Sequence, residues 1–293
     1  MTLKTRESVA AWFFLLPGFA GFLVFVFGAL AVSFFLSFLQ WDMLTPAKFV
    51  GLENYVRLIA YDKTFHLVLK NTIVFVLGTV PTRVILGLLF ALALVRNIPA
   101  RAFFRAAIFL PVIIPTVAAA MVFRWIFNAD FGLMNEFLYS IGFSNLPRWF
   151  SDPKWAMNAV IILSVWKDVG FSTVLFMAGL ESIPSSLYEA AWLDGANKWK
   201  SFVYITLPLL SPTTFFVIVI NVISSFQVFD QAYVLTGGGP GNATNTIVYY
   251  IYNNAFQWFR MGYASAVAWL LFGIIFVATL IQFRYQKKWV YYE

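Results

Sequence analysis

The chain has 293 residues, of which 61% are hydrophobic, 20% aromatic and 11% charged, where an ordinary soluble domain carries roughly 25% charged residues. Six apolar runs of membrane-spanning length, ~20 residues each, fit into it with short loops between them, leaving too little for a separate catalytic, nucleotide-binding or receptor domain of ~100 to 150 residues. The net charge of +7, from 20 Lys and Arg against 13 Asp and Glu, therefore speaks of membrane orientation rather than nucleic acid.

In chain order, the apolar runs predict spans at 11–39, 70–95, 103–128, 157–180, 209–229 and 262–282, an all-α membrane protein in one transmembrane domain over residues 1–293. Lys4 and Arg6, the apolar stretch from Trp12 to Phe27 and Ala29-Leu30-Ala31 imitate a cleavable secretion signal. The run continues to Leu39, so it reads as a retained first span. With the N-terminus inside, the inner segments hold ten basic residues: Lys4, Arg6, Arg96, Arg101, Arg105, Lys198, Lys200, Arg284, Lys287 and Lys288. The outer loops hold seven, balanced by Asp42, Glu53, Asp62, Asp130, Glu136, Asp152 and Asp230. That bias puts both termini in the cytoplasm. Trp12, Trp41, Trp149, Trp155, Trp258 and Trp289 flank the spans at headgroup depth. No inverted repeat of duplicated halves is visible. His66, the only histidine, is placed in a polar loop as a solvated side chain. With one His and no Cys, classical zinc sites and Ser-His-Asp triads cannot be assembled within the chain.

Polar residues within hydrocarbon are costly and should face a cavity or a partner helix. On the third span, Pro111 and Pro115 break or kink the helix before Thr116, freeing backbone groups that only a protein-lined or wet site can satisfy. On the fourth, Ser164 and Asp168 are four apart; on the fifth, Asn221 and Ser225 repeat that spacing with Ser224 beside them. These patches are expected to converge near the midplane, where hydroxyl and amide groups beside aromatic faces suit a sugar. For any single one of these residues, helix-to-helix glue is an equal reading. Arg83, Arg124 and Lys167 are basic groups at membrane depth that could attract an anionic sugar, with snorkelling or a Lys167–Asp168 pair the preferred reading.

Between the fourth and fifth spans, the segment 183–208 is helical by local signals. Ser186 and Glu189 have capping-box spacing, Ala190 and Ala191 favour helix, and Gly195 supplies a helix stop. The expected product is a short helix, a turn and a second short helix able to enter a partner's groove or to lie on headgroups. Gly237-Gly238-Gly239-Pro240-Gly241 is followed by neither Lys nor Ser, so it is a turn and not a phosphate loop.

The segment resembles the coupling motif of bacterial ABC-type importer permeases, Glu-Ala-Ala, three residues, Gly, then Ile-x-Leu-Pro. Glu189, Ala190, Ala191, Gly195, Ile205, Leu207 and Pro208 match it position by position. Tyr233 to Pro240 with Thr244, and Gln282 to Tyr292, are similar to the first-listed permease of carbohydrate importers of the maltose and glycerophosphate type. The chain lacks that example's extra N-terminal spans and large outer insertion. The resemblance implies a pore-forming, non-enzymatic subunit in the bacterial cytoplasmic membrane, with a cytoplasmic coupling helix between the fourth and fifth spans. It implies as partners a second, non-identical permease, two copies of an ATPase that bind ATP and Mg, and an extracytoplasmic solute-binding protein; this chain would carry no cofactor. Glu189, Ala190, Ala191, Asp194 and Gly195 would couple to the ATPase. Val112, Thr116, Ser164, Asp168, Asn221 and Ser225 align with sugar-contacting positions of the maltose-type permease. The cargo class is a di- or oligosaccharide, with a sugar acid or glycerophosphate as further candidates. The rival is a self-contained ion-coupled transporter or channel, which would need its own titratable groups in the membrane.

Overall fold

The computed structural model describes residues 3–96 and 99–291, without the side chains of residues 3–6, 8 and 9, so the side chains of Lys4 and Arg6, used in the orientation argument, lie outside what it describes. The chain divides into two compact units, residues 1–62 with 251–270, and residues 63–250 with 271–293.

In the first unit, α1 (Leu3–Phe22), a π-helical segment (Leu23–Gly28) and α2 (Ala29–Leu36) carry the apolar span Ala10–Leu36, whose most apolar window has a mean hydropathy of 2.5. The helix stops at Leu36, short of the expected Leu39, because the chain turns into a small antiparallel ladder, β1 (Leu39–Gln40) with β2 (Lys48–Phe49). Ser37 Oγ donates to the Phe34 carbonyl at 2.6 Å, and Asn54 Nδ2 reaches the carbonyls of Ser37 and Leu39, both at 2.9 Å. Between the strands Asp42 accepts from Thr45 N, Thr45 Oγ1 and Leu44 N, which holds its carboxyl below the usual range. α3 (Glu53–Val56) continues as a π turn, Arg57–Tyr61. Asp62 accepts from the hydroxyl of Tyr263, over whose ring Arg57 lies.

The second unit is built on α4 (Lys63–Val95) and α8 (Pro153–Glu181). They pack closely because small residues face the partner: a Cβ on Gly87 would meet that of Ser172 at 2.8 Å, and one on Gly78 would meet the Ile161 side chain. Between them in sequence come α5 (Arg101–Ile113), α6 (Thr116–Ile126) and the loop helix α7 (Leu133–Ser140). Phe75, Ala119, Ala120, Phe123, Phe127, Trp149, Met157 and Leu163 form one buried cluster; Ala91, Leu94, Phe176, Leu210 and Val217 form another. α4 begins seven residues before the expected span, so His66 is a helical, exposed residue and not a loop residue. Hydropathy marks the uninterrupted apolar stretch, whereas the helix extends back through Lys63–Lys70, where charged and polar residues are mixed with buried Phe65 and Val68. α8 likewise starts early, at Pro153, where Asp152 caps it by accepting from Lys154 N at 2.9 Å.

Then come α9 (Ser185–Leu193), α10 (Lys198–Ser201), a π turn (Phe202–Thr206), α11 (Leu207–Leu209), α12 (Ser211–Phe226), α13 (Asp230–Thr236), α14 (Ile247–Tyr252) and α15 (Met261–Gln286). Among the described residues, four helices are long and apolar enough to cross a membrane: Ala10–Leu36, Lys63–Val95, Pro153–Glu181 and Met261–Gln286. Two further pairs qualify when each bent pair is joined, α5 with α6 at 102° and Lys198–Leu209 with α12 at 61°. The first of these breaks falls at Ile114–Pro115, where the proline spacing predicts it.

Candidate functional site

The polar residues of α4, α8 and α12 meet at Arg83. This side chain, 4% exposed, pairs with Asp168 at 2.6 Å, donates to the Ser164 carbonyl at 3.0 Å and lies 3.4 Å from Ser225 Oγ. Thr79, one turn before Arg83, donates to Ser225 Oγ at 3.1 Å. A buried guanidinium needs a counter-charge and several acceptors to offset its lost hydration; this shell supplies them to its two terminal nitrogens and leaves the buried Nε without a hydrogen bond. Asp168 is the more exposed partner, at 34%, and opens with Arg83 into a cleft of about 290 Å³. Phe75, Ser224, Ser225, Gln227, Val228, Phe229, Asp230 and Gln231 complete its lining, so aromatic faces stand beside hydroxyls, amides and carboxylates.

Of the sequence-predicted pathway residues, Asp168 and Ser225 line this cleft. Ser164 is fully buried beside it, its hydroxyl donating back to the Val160 carbonyl at 2.7 Å. Asn221 is 4% exposed, and its amide donates to Ser172 Oγ at 3.0 Å and to the Val217 carbonyl at 2.9 Å, so here it joins α12 to α8. Val112 and Thr116 flank the helix break and lie outside the lining. The expected Lys167–Asp168 pair does not form. Successive helical residues point ~100° apart, so Asp168 turns to Arg83 while Lys167 turns to the break, 3.2 Å from the Val112 carbonyl and 2.9 Å from that of Ile114. Arg124 is exposed.

The second candidate region is the turn between α8 and α12. α9 starts after Pro184 with no side-chain cap, so the Ser186–Glu189 capping box is not realised: Ser186 already lies inside the helix, where it cannot act as N-cap. The helix stop is realised. Gly195 has φ +78°, and the N–H groups of Asp194, Gly195 and Ala196 bond the carbonyls of Ala190, Trp192 and Ala191. Asn197 caps α10 through Lys200 N at 2.8 Å. Tyr188 Oη lies 2.9 Å from Thr206 Oγ1, tying α9 to the following π turn. Glu189, Ala190, Asp194 and Gly195 are exposed and Ala191 is half-buried. Beside them Trp192 at 78%, Leu193 at 85% and Trp199 at 70% present large apolar surfaces. At the neighbouring end of α8, Glu181 bridges Arg101 at 3.1 Å and Arg105 at 3.0 Å.

The glycine-rich segment after α13 is a turn. Gly237, Gly238 and Gly241 have positive φ, Thr236 and Thr244 hydroxyls meet at 2.6 Å, and Asn71 Nδ2 of α4 reaches the carbonyls of Asn242 and Asn245 at 2.7 and 3.1 Å.

A multi-pass helical membrane protein with a charged cleft among its helices and an exposed helix–turn–helix between two of them belongs to the class of transporter membrane subunits. Residues 83–291 match the binding-protein-dependent transport system inner membrane component family, and the chain belongs to that family of ABC importer permeases. It is 39% identical over 291 residues, 98% of this chain and 94% of the other, to the "Probable ABC transporter permease protein YesP" of Bacillus subtilis (strain 168). It is 35% identical to the "Trehalose/maltose transport system permease protein MalF" of Thermococcus litoralis, covering 96% of this chain and 95% of that one. A chain of a bacterial alginate ABC transporter, solved in complex with an alginate pentasaccharide-bound periplasmic protein, superposes with a TM-score of 0.80 over 97% of this chain and 96% of its own, at 23% identity, and shows the fold.

Proposed function

We propose that this chain is the pore-forming permease subunit of an ATP-driven, binding-protein-dependent importer of sugars. The observation that carries the reading is the Arg83–Asp168 cleft, in which Ser224, Ser225, Gln227, Gln231 and Asp230 offer hydrogen-bond partners beside Phe75 and Phe229. Hydroxyl-rich ligands need both kinds of surface, and a trehalose/maltose permease is among the relatives. In this reading residues 1–293 act as one transmembrane permease with six spans, each bent pair counting as one, and with both termini cytoplasmic in a bacterial inner membrane. Asp168 and Ser225 contact cargo first; Val112, Thr116, Ser164 and Asn221 contact it as the helices tilt.

α9 serves as the cytoplasmic coupling helix, with Glu189, Ala190, Ala191, Asp194 and Gly195 seated in an ATPase groove. The exposed Trp192, Leu193 and Trp199 support this, since large apolar side chains at a helix tip favour a partner. ATP and Mg are held by two ATPase subunits, a second, non-identical permease completes the pore, and an extracytoplasmic binding protein delivers cargo. An ion-coupled mechanism is less well supported: Asp168 is engaged by Arg83, and Lys167 is engaged by backbone carbonyls.

The test is reconstitution. Proteoliposomes holding this chain, the second permease and the ATPase should accumulate labelled maltose or longer neutral or acidic oligosaccharides only when ATP and binding protein are both supplied. Accumulation driven by an ion gradient, in liposomes holding this chain alone, would reject the proposal.

A further inference from the structure

The apex of the bent α5–α6 pair is held from one side by a single stretch of α8. Pro111 and Pro115 are four apart, so the carbonyl of Pro111 faces a residue without an N–H and has no helical partner; the last carbonyls of α5 are orphaned with it. Lys167 supplies the missing donors. Its ammonium, on a buried residue only 9% exposed, lies 3.5, 3.2 and 2.9 Å from the carbonyls of Pro111, Val112 and Ile114. Its neighbours on α8 hold the two arms. The Trp166 ring packs on Phe123 of α6, centroids 5.1 Å apart. Gly170 lets α5 come so close that a Cβ would collide with the Ile108 carbonyl. The acidic neighbour that could draw Lys167 away, Asp168, is occupied by Arg83.

We infer that Lys167 is a positioning residue for transport: its ammonium clamps the orphaned carbonyls of the α5–α6 break and so fixes the bend on which the placement of Val112 and Thr116 depends. This rests on the transport reading above, but the bend itself can be measured without it. Three acceptors converging on one buried cation make a joint that is stiff while Lys167 is seated, and Pro115, which has no N–H, cannot take its place at the Pro111 carbonyl.

The chain has no cysteine, so labels can be introduced without background. Spin labels at Phe104→Cys on α5 and Val122→Cys on α6, both exposed positions, report the bend as a distance in the assembled importer. With Lys167 present the distribution should be narrow; in Lys167→Met it should broaden and move to longer distances, and Lys167→Arg, which keeps the donors, should restore it. ATP-driven uptake should fall roughly 2- to 30-fold in Lys167→Met, the span of coupling changes produced by residues outside a binding site, with basal ATPase activity retained and Lys167→Arg recovering most of the uptake. Unchanged distances and uptake in Lys167→Met overturn the inference. If Lys167→Met does not assemble, Lys167→Leu, which also lacks any donor, is measured instead, and a wild-type distance distribution there overturns it equally. Absence of uptake with Lys167 in place rejects the transport reading and leaves the distance measurement to decide the role of Lys167.

Discussion

Arg83 and Asp168 share one ion pair but not one environment. Arg83 is 4% exposed and Asp168 34%, so removing the carboxylate strands a buried cation, whereas removing the cation leaves an anion that cleft water can hydrate. Breaking a buried pair at one partner costs ~3 to 5 kcal/mol, and the loss should fall at the upper end for Asp168→Asn and well below it for Arg83→Met. Thermal unfolding of the purified complex should therefore rank Asp168→Asn lowest, with the double variant above it; the reverse order would mean that Arg83 is hydrated. Asn221 is a different case, because its amide is bonded to Ser172 Oγ on α8. Interhelical bonds of this kind contribute ~0.6 to 2 kcal/mol, so Asn221→Leu and Ser172→Ala should destabilise alike. If Asn221 also meets cargo, sugar uptake falls further in Asn221→Leu than in Ser172→Ala; equal uptake reduces Asn221 to a packing residue.

At the scale of elements, the loop between α8 and α12 depends on one backbone conformation. Gly195 at φ +78° ends α9, and nothing lies within 4 Å of a Cβ there, so the constraint is conformational rather than a lack of space within this chain. Gly195→Asn, which tolerates the left-handed region, should keep coupling, while Gly195→Leu should strain the turn by ~1 to 2 kcal/mol and project bulk at the partner. Membrane insertion should be normal in both, and transport normalised to ATPase activity distinguishes them; equal transport by both variants argues against this loop as the transmission element. The stop at Gly195 was legible because it needs one residue type at one position. The Ser186–Glu189 box was not realised, because Pro184 already places the helix start one residue before Ser186. The break at Pro115 was legible for the same local reason as Gly195, but its partner Lys167 was not. The pairing of Arg83 with Asp168 spans 85 residues, and spacing within a single helix carries no information about which neighbouring helix a side chain will face. Of the i, i+4 pairs on α8 and α12, Asp168 and the buried Ser225 line the cleft, while Ser164 and Asn221 sit one turn away from it.

For the molecule as a whole, the described helices expose apolar surface that water would not tolerate. The most apolar window of Ala10–Leu36 has no buried residue, and Phe13, Phe14 and Phe25 are each at least 77% exposed. Lipid or a second permease must cover such a face, since the hydrophobic term grows at ~25 cal/mol for each Å² removed from water. Chemistry, by contrast, has little room. The glycine-rich turn at 237–241 lacks the Lys-Ser/Thr that would follow in a phosphate loop, and Asn71, Thr244 and Tyr249 hold its carbonyls and those beside it. The purified chain should therefore bind no nucleotide and release no phosphate from ATP. Adding the ATPase subunit together with the second permease should give turnover, stimulated by cargo-loaded binding protein. In that complex Asp168→Asn should lower uptake while basal ATPase activity persists, because the cleft lining and α9 are separate regions of the second unit. Phosphate release by the chain alone would contradict the division of labour, and loss of basal ATPase activity in a correctly assembled Asp168→Asn complex would contradict the separation of cargo cleft from coupling helix.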